Sequence, residues 1–335
     1  MITVDWGGSK LHANLCEMKN NGQLTVLESN TGLGINKVAQ QFDEELLAVI
    51  SPWTEQYGPL DVLMSGQIGS NIGWKETEYL SCPVSPENLA AACLSFPFHD
   101  FKVYIIPGVN CTIEKDYPEV MRGEELQILG WLQTNDSLQK QRHLVCLPGT
   151  HTKWAIVENG KIELFRSAMT GELFDLLSNS SVLIRKSDKN NFNQKEFLAG
   201  VHRIIANRTT NDFYHSLFSV RTKQLLADLA PQDASSYLSG LLIGEDVRNA
   251  MESYLWDSTE FDQITIIGAE HISQCFEIAL KQYNKHCTLY DANQVSIKGY
   301  QAVLGEIYQK NCYLDRRTIY KNFESKMTIK QVINS

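Results

Sequence analysis

The chain has 335 residues, enough to bury a sizeable core and to form two domains. Its 43 % hydrophobic and 21 % charged content is that of a soluble globular protein, and no apolar run approaches a membrane span. A formal net charge of −9 argues against nucleic acid or an anionic membrane as partner.

Ile2 and Val4 alternate with Thr3 and Asp5, the period of a strand. Gly7-Gly8-Ser9 is turn chemistry. Leu11, Ala13 and Leu15 then alternate with His12 and Asn14, so a second strand is expected. The hairpin ends its first strand on a carboxylate and has small residues at its tip. Such a tip lets backbone N–H groups approach an anion. Asp5 can hold magnesium through water, because that ion keeps most of its own waters. A plain hairpin is the commoner reading of these residues alone. The chain runs on through Asn20-Asn21-Gly22 into a third strand at Leu24-Thr25-Val26-Leu27.

Val38, Phe42, Leu46 and Val49 predict a helix over 35–50, closed by Pro52. Asp61-Val62-Leu63-Met64 is a short buried strand. The loop after it carries Gly66, Gly69 and Gly73 among Ser70, Asn71, Trp74 and Lys75. Loops at the carboxyl ends of strands are where α/β folds bind ligands. A cation, hydroxyl and amide donors and an apolar side chain suit a small polar acid; an irregular surface loop is the alternative. Residues 103–106 predict another strand, and 111–118 an exposed connection. A helix is then expected to start at Val120-Met121-Arg122, with Glu124 and Glu125 in its first turn, where the macrodipole favours anions. Either they are surface glutamates, or one is a general base.

The stretch 144–157 repeats the design of the N-terminus: strand, Pro148-Gly149-Thr150 turn, strand, then Glu158 to Lys161 into a further strand. Each half therefore opens with a three-stranded meander, an internal repeat of architecture with little identity of letters. Two such tips facing each other would clamp a polyphosphate. Thr170 is the expected N-cap of the next helix. Residues 185–196 read as a polar surface loop, and 195–206, 213–229 and 233–255 as helices. Gly240 and Gly244, four apart in the last of these, suggest close packing against a neighbour. Gln263 to Ile267 is a strand, followed by Gly268 and Ala269 and a helix, where backbone can lie flat against a base or sugar. A strand at 288–290 and a helix over 294–308 complete the pattern. The tail from Asn311 holds Arg316, Arg317, Lys321, Lys326 and Lys330 against Asp315 and Glu324. The eight cysteines (16, 82, 93, 111, 146, 275, 287, 312) form no Cys-x-x-Cys pair, so reduced, mostly buried thiols are expected. With no basic or apolar leader before Ile2, the expected location is cytoplasmic, and the sequons at Asn110 and Asn179 are chance matches.

These pieces, in this order, resemble the sugar-kinase branch of the actin, Hsp70 and hexokinase superfamily, and within it the 2-dehydro-3-deoxygalactonokinase family. The resemblance rests on Asp5-Trp6-Gly7, Gly69 to Lys75, Met121-Arg122-Gly123-Glu124-Glu125, Pro148 to Trp154, Met169 to Leu173 and Leu238 to Gly244. It implies an α/β chain with two ribonuclease H-like (actin/hexokinase-type) domains around a central nucleotide and substrate cleft. The first domain, 1–142, would carry the sugar-acid pocket, the second, 143–310, the nucleotide site, and 311–335 would be a basic tail. The implied reaction is ATP-dependent phosphorylation of the terminal C6 hydroxyl of 2-dehydro-3-deoxy-D-galactonate. The resemblance gives Asp5 to magnesium, and Gly7, Gly8, Ser9, Lys10, Gly149 and Thr150 to the phosphates. Gly268 and Ala269 would border the nucleoside. Ser70, Asn71, Trp74 and Lys75 would shape the sugar-acid pocket, with Arg122 or Lys75 pairing the carboxylate. Glu124 would be the base, with Glu125 and Glu172 as rivals. The family usually continues its first tip as Ser-Thr-Asn-x-Arg, where this chain has Gly8-Ser9-Lys10-Leu11-His12. The strand at Ile267-Gly268-Ala269-Glu270 keeps the glycine and alters the residues after it. The alternatives are a kinase of another keto-deoxy acid, a superfamily phosphatase, or a catalytically weak binding protein. No helix-turn-helix precedes the first strand, which argues against a sugar-responsive repressor. Partners are the sugar acid and ATP, and a homodimer is left open.

Overall fold

The protein is described by a computed structural model over residues 1–19, 21–184, 192–206 and 212–308. The basic tail and most of the polar loop expected at 185–196 lie outside the described residues. Contacts divide the chain into two units. The first holds Met1–Val109, Glu125–Thr134 and the chain from Ser296; the second holds Asn110–Glu124 and Asn135–Val295.

In the first unit, β1 (Ile2–Trp6) pairs antiparallel with β2 (Lys10–Met18), and β2 with β3 (Leu24–Leu33). Ile2, Val4, Trp6, Leu11, Ala13 and Leu15 are all buried, so the alternation in the sequence selects one sheet face for the core. The helix α1 (Phe42–Tyr57) covers that face. It differs from the expected helix at both ends. Ala39 and Gln40 have positive φ, which breaks helical geometry before Phe42. Pro52 lies inside α1, where Val49, Ile50 and Trp53 carry the buried stripe past it. Packing of that stripe outweighs the one backbone donor that proline lacks. The strand β4 (Val62–Ser65) lies parallel to β1 on its other side. After β5 (Tyr79–Ser81) and α2 (Pro86–Ala92), β6 (Leu94–Phe98) and β7 (Phe101–Ile105) complete a sheet of order β3-β2-β1-β4-β7-β6.

The stretch expected to be an exposed connection at 111–118 is instead a hairpin of β8 (Gly108–Glu114) and β9 (Tyr117–Met121), turning at Asp116 with positive φ. The helix expected from Val120 therefore starts only after Gly123, as α3 (Glu124–Leu132). Cross-strand bonding claims Val120 and Met121 before helix propensity can.

In the second unit, β10 (Arg142–Leu147), β11 (Thr152–Glu158) and β12 (Lys161–Ala168) form the second meander. Asn159 and Gly160 both take positive φ, as a tight two-residue hairpin turn demands. The helices α4 (Thr170–Ser180), α5 (Gln194–Ile205), α6 (Phe213–Leu226) and α7 (Ala234–Met251) come next. Thr170 is the first helical residue, with Met169 at the N-cap; the Thr170 hydroxyl is taken by Asp246 at 2.5 Å and is not free to cap. The backbones of α5 and α7 touch: a Cβ on Gly240 would lie 2.0 Å from the Phe197 carbonyl oxygen. The strand β13 (Gln263–Gly268), α8 (Glu270–Lys281) and β14 (His286–Asp291) complete a sheet of order β12-β11-β10-β13-β14. Strand for strand this order matches β3-β2-β1-β4-β7, so the architectural repeat extends to the whole sheet order. A closing helix over 292–308, α9, begins at the end of the second unit and runs in the first.

Candidate active site

At the first tip, Asp5 is not the last residue of β1, because Trp6 still pairs with Leu11; it lies one residue before the strand's end, half-buried, opposite His12 on β2 and beside Ser65 on β4. The Gly7 N–H bonds the Lys10 carbonyl at 3.0 Å and closes the turn. The carbonyls of Gly7 and Gly8 accept the N–H groups of Ile35 and Asn36, each at 3.1 Å. A Cβ on Gly34 would lie 2.2 Å from the Ser9 carbonyl carbon, so the chain after β3 rests directly on the tip. Ser9 and Lys10 stay exposed. Trp6 is wholly buried, donates to the Leu33 carbonyl at 2.9 Å and packs edge-on against Phe42, so it braces the tip from below. Desolvation, then the Lys10 cation, pushes the His12 imidazole below its ordinary value.

The loop after β4 starts at Gly66, where a Cβ would meet Asp5 Oδ1 at 2.9 Å. This loop and the Asp5 tip are therefore one surface. The Ser70 hydroxyl donates to the Gln67 carbonyl at 2.7 Å, which leaves its oxygen as an acceptor. Asn71 is exposed. Trp74 stands edge-on to Phe96 and Phe98, at 5.3 and 4.8 Å between centroids, and Lys75 Nζ sits 4.9 Å over the Phe96 ring. The aromatic box fixes Trp74 and Lys75 together.

At the second tip, Gly149, Thr150 and His151 are exposed. The Thr150 carbonyl accepts the Glu172 N–H at 3.0 Å, and His151 Nε2 lies 2.6 Å from Glu172 Oε2. A Cβ on Gly171 would lie 2.4 Å from the Gly149 carbonyl oxygen, so the start of α4 presses on this tip. Gly268 reaches the same region: its Cβ would sit 3.4 Å from Pro148 Cδ. Ala269 is the N-cap of α8. A cavity of about 200 Å³ opens here between Gly149, Gly171, Phe174, Ser236, His271 and Phe276. Apolar walls with a few hydroxyls and one imidazole suit a nucleoside. A second cavity, about 210 Å³, shares Thr170 and Leu242 with it and is walled by Trp154, Asp246 and Trp256. Asp246 accepts from the Trp154 indole at 2.9 Å and from the Thr170 hydroxyl; burial raises its carboxyl above the ordinary range, and these bonds oppose the rise.

Arg122 and Glu124 sit at the β9–α3 turn of the second unit, where a Glu124 oxygen accepts the Arg122 N–H at 3.1 Å. Lys153, buried on β11, ties that turn to its sheet by donating to the Val120 carbonyl at 2.9 Å and to Ser167 Oγ at 2.7 Å. The two neighbouring glutamates separate sharply. Glu125 is 0 % exposed, whereas Glu124 keeps an accessible face.

A family model described as 2-keto-3-deoxy-galactonokinase matches residues 5–303. The chain belongs to the 2-keto-3-deoxy-galactonokinase family. A probable 2-dehydro-3-deoxygalactonokinase of Rhizobium meliloti is 30 % identical over 313 residues, covering 91 % of this chain and 96 % of the relative. The 2-dehydro-3-deoxygalactonokinase of Escherichia coli is 33 % identical over 255 residues, covering 76 % and 81 %. A crystal structure from Sinorhizobium meliloti, assigned as a 2-dehydro-3-deoxygalactonokinase protein, superposes with a TM-score of 0.77 at 28 % identity, over 92 % of this chain and 96 % of that one. An activator of 2-hydroxyisocaproyl-CoA dehydratase from Clostridium difficile, solved with bound ADPNP, shares the fold alone, with a TM-score of 0.50 at 10 % identity over 94 % and 97 % of the two chains.

For this kinase family member, the fold brings Asp5, Gly7, Gly8, Ser9 and Lys10 onto one tip, next to the Ser70–Lys75 loop. It brings Gly149 and Thr150 beside Gly268 and Ala269. Sequence reasoning missed Ser65, Tyr300, Asp246 and the serines 235, 236 and 239 of the nucleoside-sized cavity. The one signal for Ser65 is its place between a strand and Gly66. For Tyr300 and Asp246, which lie within helices, no local signal exists.

Proposed function

We propose that the protein transfers the γ-phosphoryl group of ATP to the C6 hydroxyl of 2-dehydro-3-deoxy-D-galactonate, in galactonate catabolism. The observation that carries this reading is the family match over 5–303, which spans both tips, the loop after β4 and the β13–α8 turn. The cavity beside Gly149 supports a nucleoside there, and Gly268, which packs against Pro148, and Ala269 would border it. Gly149 and Thr150 would offer backbone and hydroxyl groups to the phosphates, as would Gly8 and Ser9, with Gly7 closing the turn through its own N–H and Lys10 adding a cation.

Asp5 is a half-buried hard oxygen donor beside Gly66, a group that fits magnesium held through water. That ion, when bound, neutralises phosphate charge. Ser70, Asn71 and Trp74 would seat the sugar acid, and Arg122 or Lys75 would pair with its carboxylate, a task the guanidinium fork suits. Glu124 would accept the proton of the C6 hydroxyl as its oxygen bonds the γ-phosphorus and the bond to the bridging oxygen breaks, releasing ADP. Burial of Glu125 supports Glu124 in that role, since a residue with no accessible surface cannot touch substrate. Among the described residues no helix is long and apolar enough to cross a membrane, and ATP chemistry agrees with a cytoplasmic setting.

The test is ATP consumption by the purified chain with a panel of keto-deoxy sugar acids. Preferred turnover of the galacto acid is the expected result. Preference for another acid reassigns the substrate, and nucleotide binding with no acid-stimulated turnover makes the chain a binding protein.

A further inference from the structure

The closing helix α9 brings to the Asp5 site a group that the proposed mechanism does not use. A Cβ on Gly299 would lie 2.2 Å from the Leu126 carbonyl oxygen, so α9 rests backbone-to-backbone on α3. The next residue, Tyr300, is thereby driven into the interior and is 1 % exposed. Its phenol oxygen lies 2.6 Å from Ser65 Oγ in a buried bond. Ser65 is the register partner of Asp5 across the parallel β1–β4 ladder. Burial first, and then the Asp5 carboxylate, pushes the Tyr300 phenol well above its ordinary value, with Glu125 adding to the rise and the Ser65 bond opposing it.

Packing alone does not call for this oxygen. A phenylalanine would fill the same volume, and a buried hydroxyl pair gives little net stability over an apolar pair of the same shape. What the pair adds is a fixed bond at the end of β4, beside the residue read as holding the metal. Outer partners of this kind orient the groups that bind an ion, and their loss commonly weakens metal affinity about 10–100-fold.

We propose that Tyr300 is a positioning residue for Asp5: through Ser65 it holds the ends of β1 and β4, and with them the Asp5 carboxylate, in the orientation that binds the nucleotide's metal. The inference rests on the reading of Asp5 as the group that holds that ion.

The experiment measures Mn²⁺ affinity by electron paramagnetic resonance on the full chain with a non-hydrolysable ATP analogue. Wild type, Tyr300→Phe, Asp5→Asn and the double variant form a cycle, with Ser65→Ala as a second way to break the bond. Tyr300→Phe and Ser65→Ala are each expected to weaken Mn²⁺ binding about tenfold in the wild-type background. In the Asp5→Asn background neither should add more than about twofold, because the effect runs through Asp5. Wild-type Mn²⁺ affinity in both single variants overturns the proposal, as does an equal loss in both backgrounds. Should Tyr300→Phe fail to fold, Ser65→Ala decides by the same criteria. If Asp5→Asn itself keeps wild-type affinity, the reading of Asp5 fails and the inference falls with it. If Asp5→Asn weakens binding while the other two do not, only the inference about Tyr300 fails.

Discussion

The Gly171→Ala variant tests whether the second tip reads phosphate. Gly171 has no positive φ, so alanine meets no backbone strain there. The added methyl would stand 2.4 Å from the Gly149 carbonyl oxygen and 3.0 Å from Thr150 Cα. Both are backbone atoms of the tip and cannot rotate away. Restoring an ordinary contact of roughly 3.4 Å requires the tip and the start of α4 to part by about 1 Å. Overpacking of this size costs about 1–3 kcal/mol, which for a domain of this size lowers Tm by roughly 2–10 °C. A displacement of about 1 Å in a positioning element costs about a hundredfold in rate. The expected result is therefore kcat/KM for ATP down about a hundredfold, with a modest fall in Tm and an unchanged KM for the sugar acid. The assays are steady-state kinetics with each substrate varied and a thermal melt of the same preparation. A variant that melts lower but turns over ATP normally would show that the tip does not grip phosphate.

The other expectations concern charge. Asp5→Asn keeps size but removes the anion, and turnover should fall at least about a hundredfold; near-normal turnover at saturating magnesium would take Asp5 out of the mechanism. Glu124→Gln should lose about a hundred- to ten-thousandfold in single-turnover phosphorylation while still binding both substrates, whereas Glu125→Gln should show its effect in the thermal melt. The reverse pattern would move the base to Glu125, and activity in both would leave Glu172. Neutralising whichever of Arg122 and Lys75 pairs with the sugar-acid carboxylate should raise KM for the acid about ten- to a hundredfold and leave KM for ATP unmoved. Intact affinity in both Arg122→Met and Lys75→Met would mean that the carboxylate is read elsewhere.

The two meanders were legible because a period of two and a glycine tip are local properties. The duplicated sheet order grows out of them. Helix ends were less legible. Nothing near Ala39 announces that two residues take positive φ, and Pro52 is a poor stop signal when buried residues continue on both sides of it. The β8–β9 hairpin was invisible because its partners are remote. Cys111 Sγ bonds the Phe165 carbonyl at 3.2 Å, and Glu119 accepts the Ser167 N–H at 3.1 Å. The same limit hid the buried polar groups. Glu124 and Glu125 are equal in sequence, and only packing makes one a core residue.

The bracing of the two tips also bears on the Gly8-Ser9-Lys10 stretch of the first. A backbone turn presents carbonyl oxygens as well as N–H groups, and carbonyls repel phosphate. At the first tip the Gly7 and Gly8 carbonyls are each consumed by an N–H of the chain after β3. At the second, the Thr150 carbonyl is consumed by the Glu172 N–H. Different elements brace the two tips, yet the electrostatic outcome is the same. Acceptors are turned inward and satisfied, which biases the outer face of each turn toward donors. On the proposed reading, phosphate affinity at the first tip then depends more on the bracing chain than on which small side chains decorate the turn. Gly34, where a side chain would strike the tip backbone, is the residue that this arrangement cannot replace. Ser9 and Lys10, both exposed, are free to vary around it, and on the proposed reading they would add a hydroxyl and a cation to a grip made by the backbone.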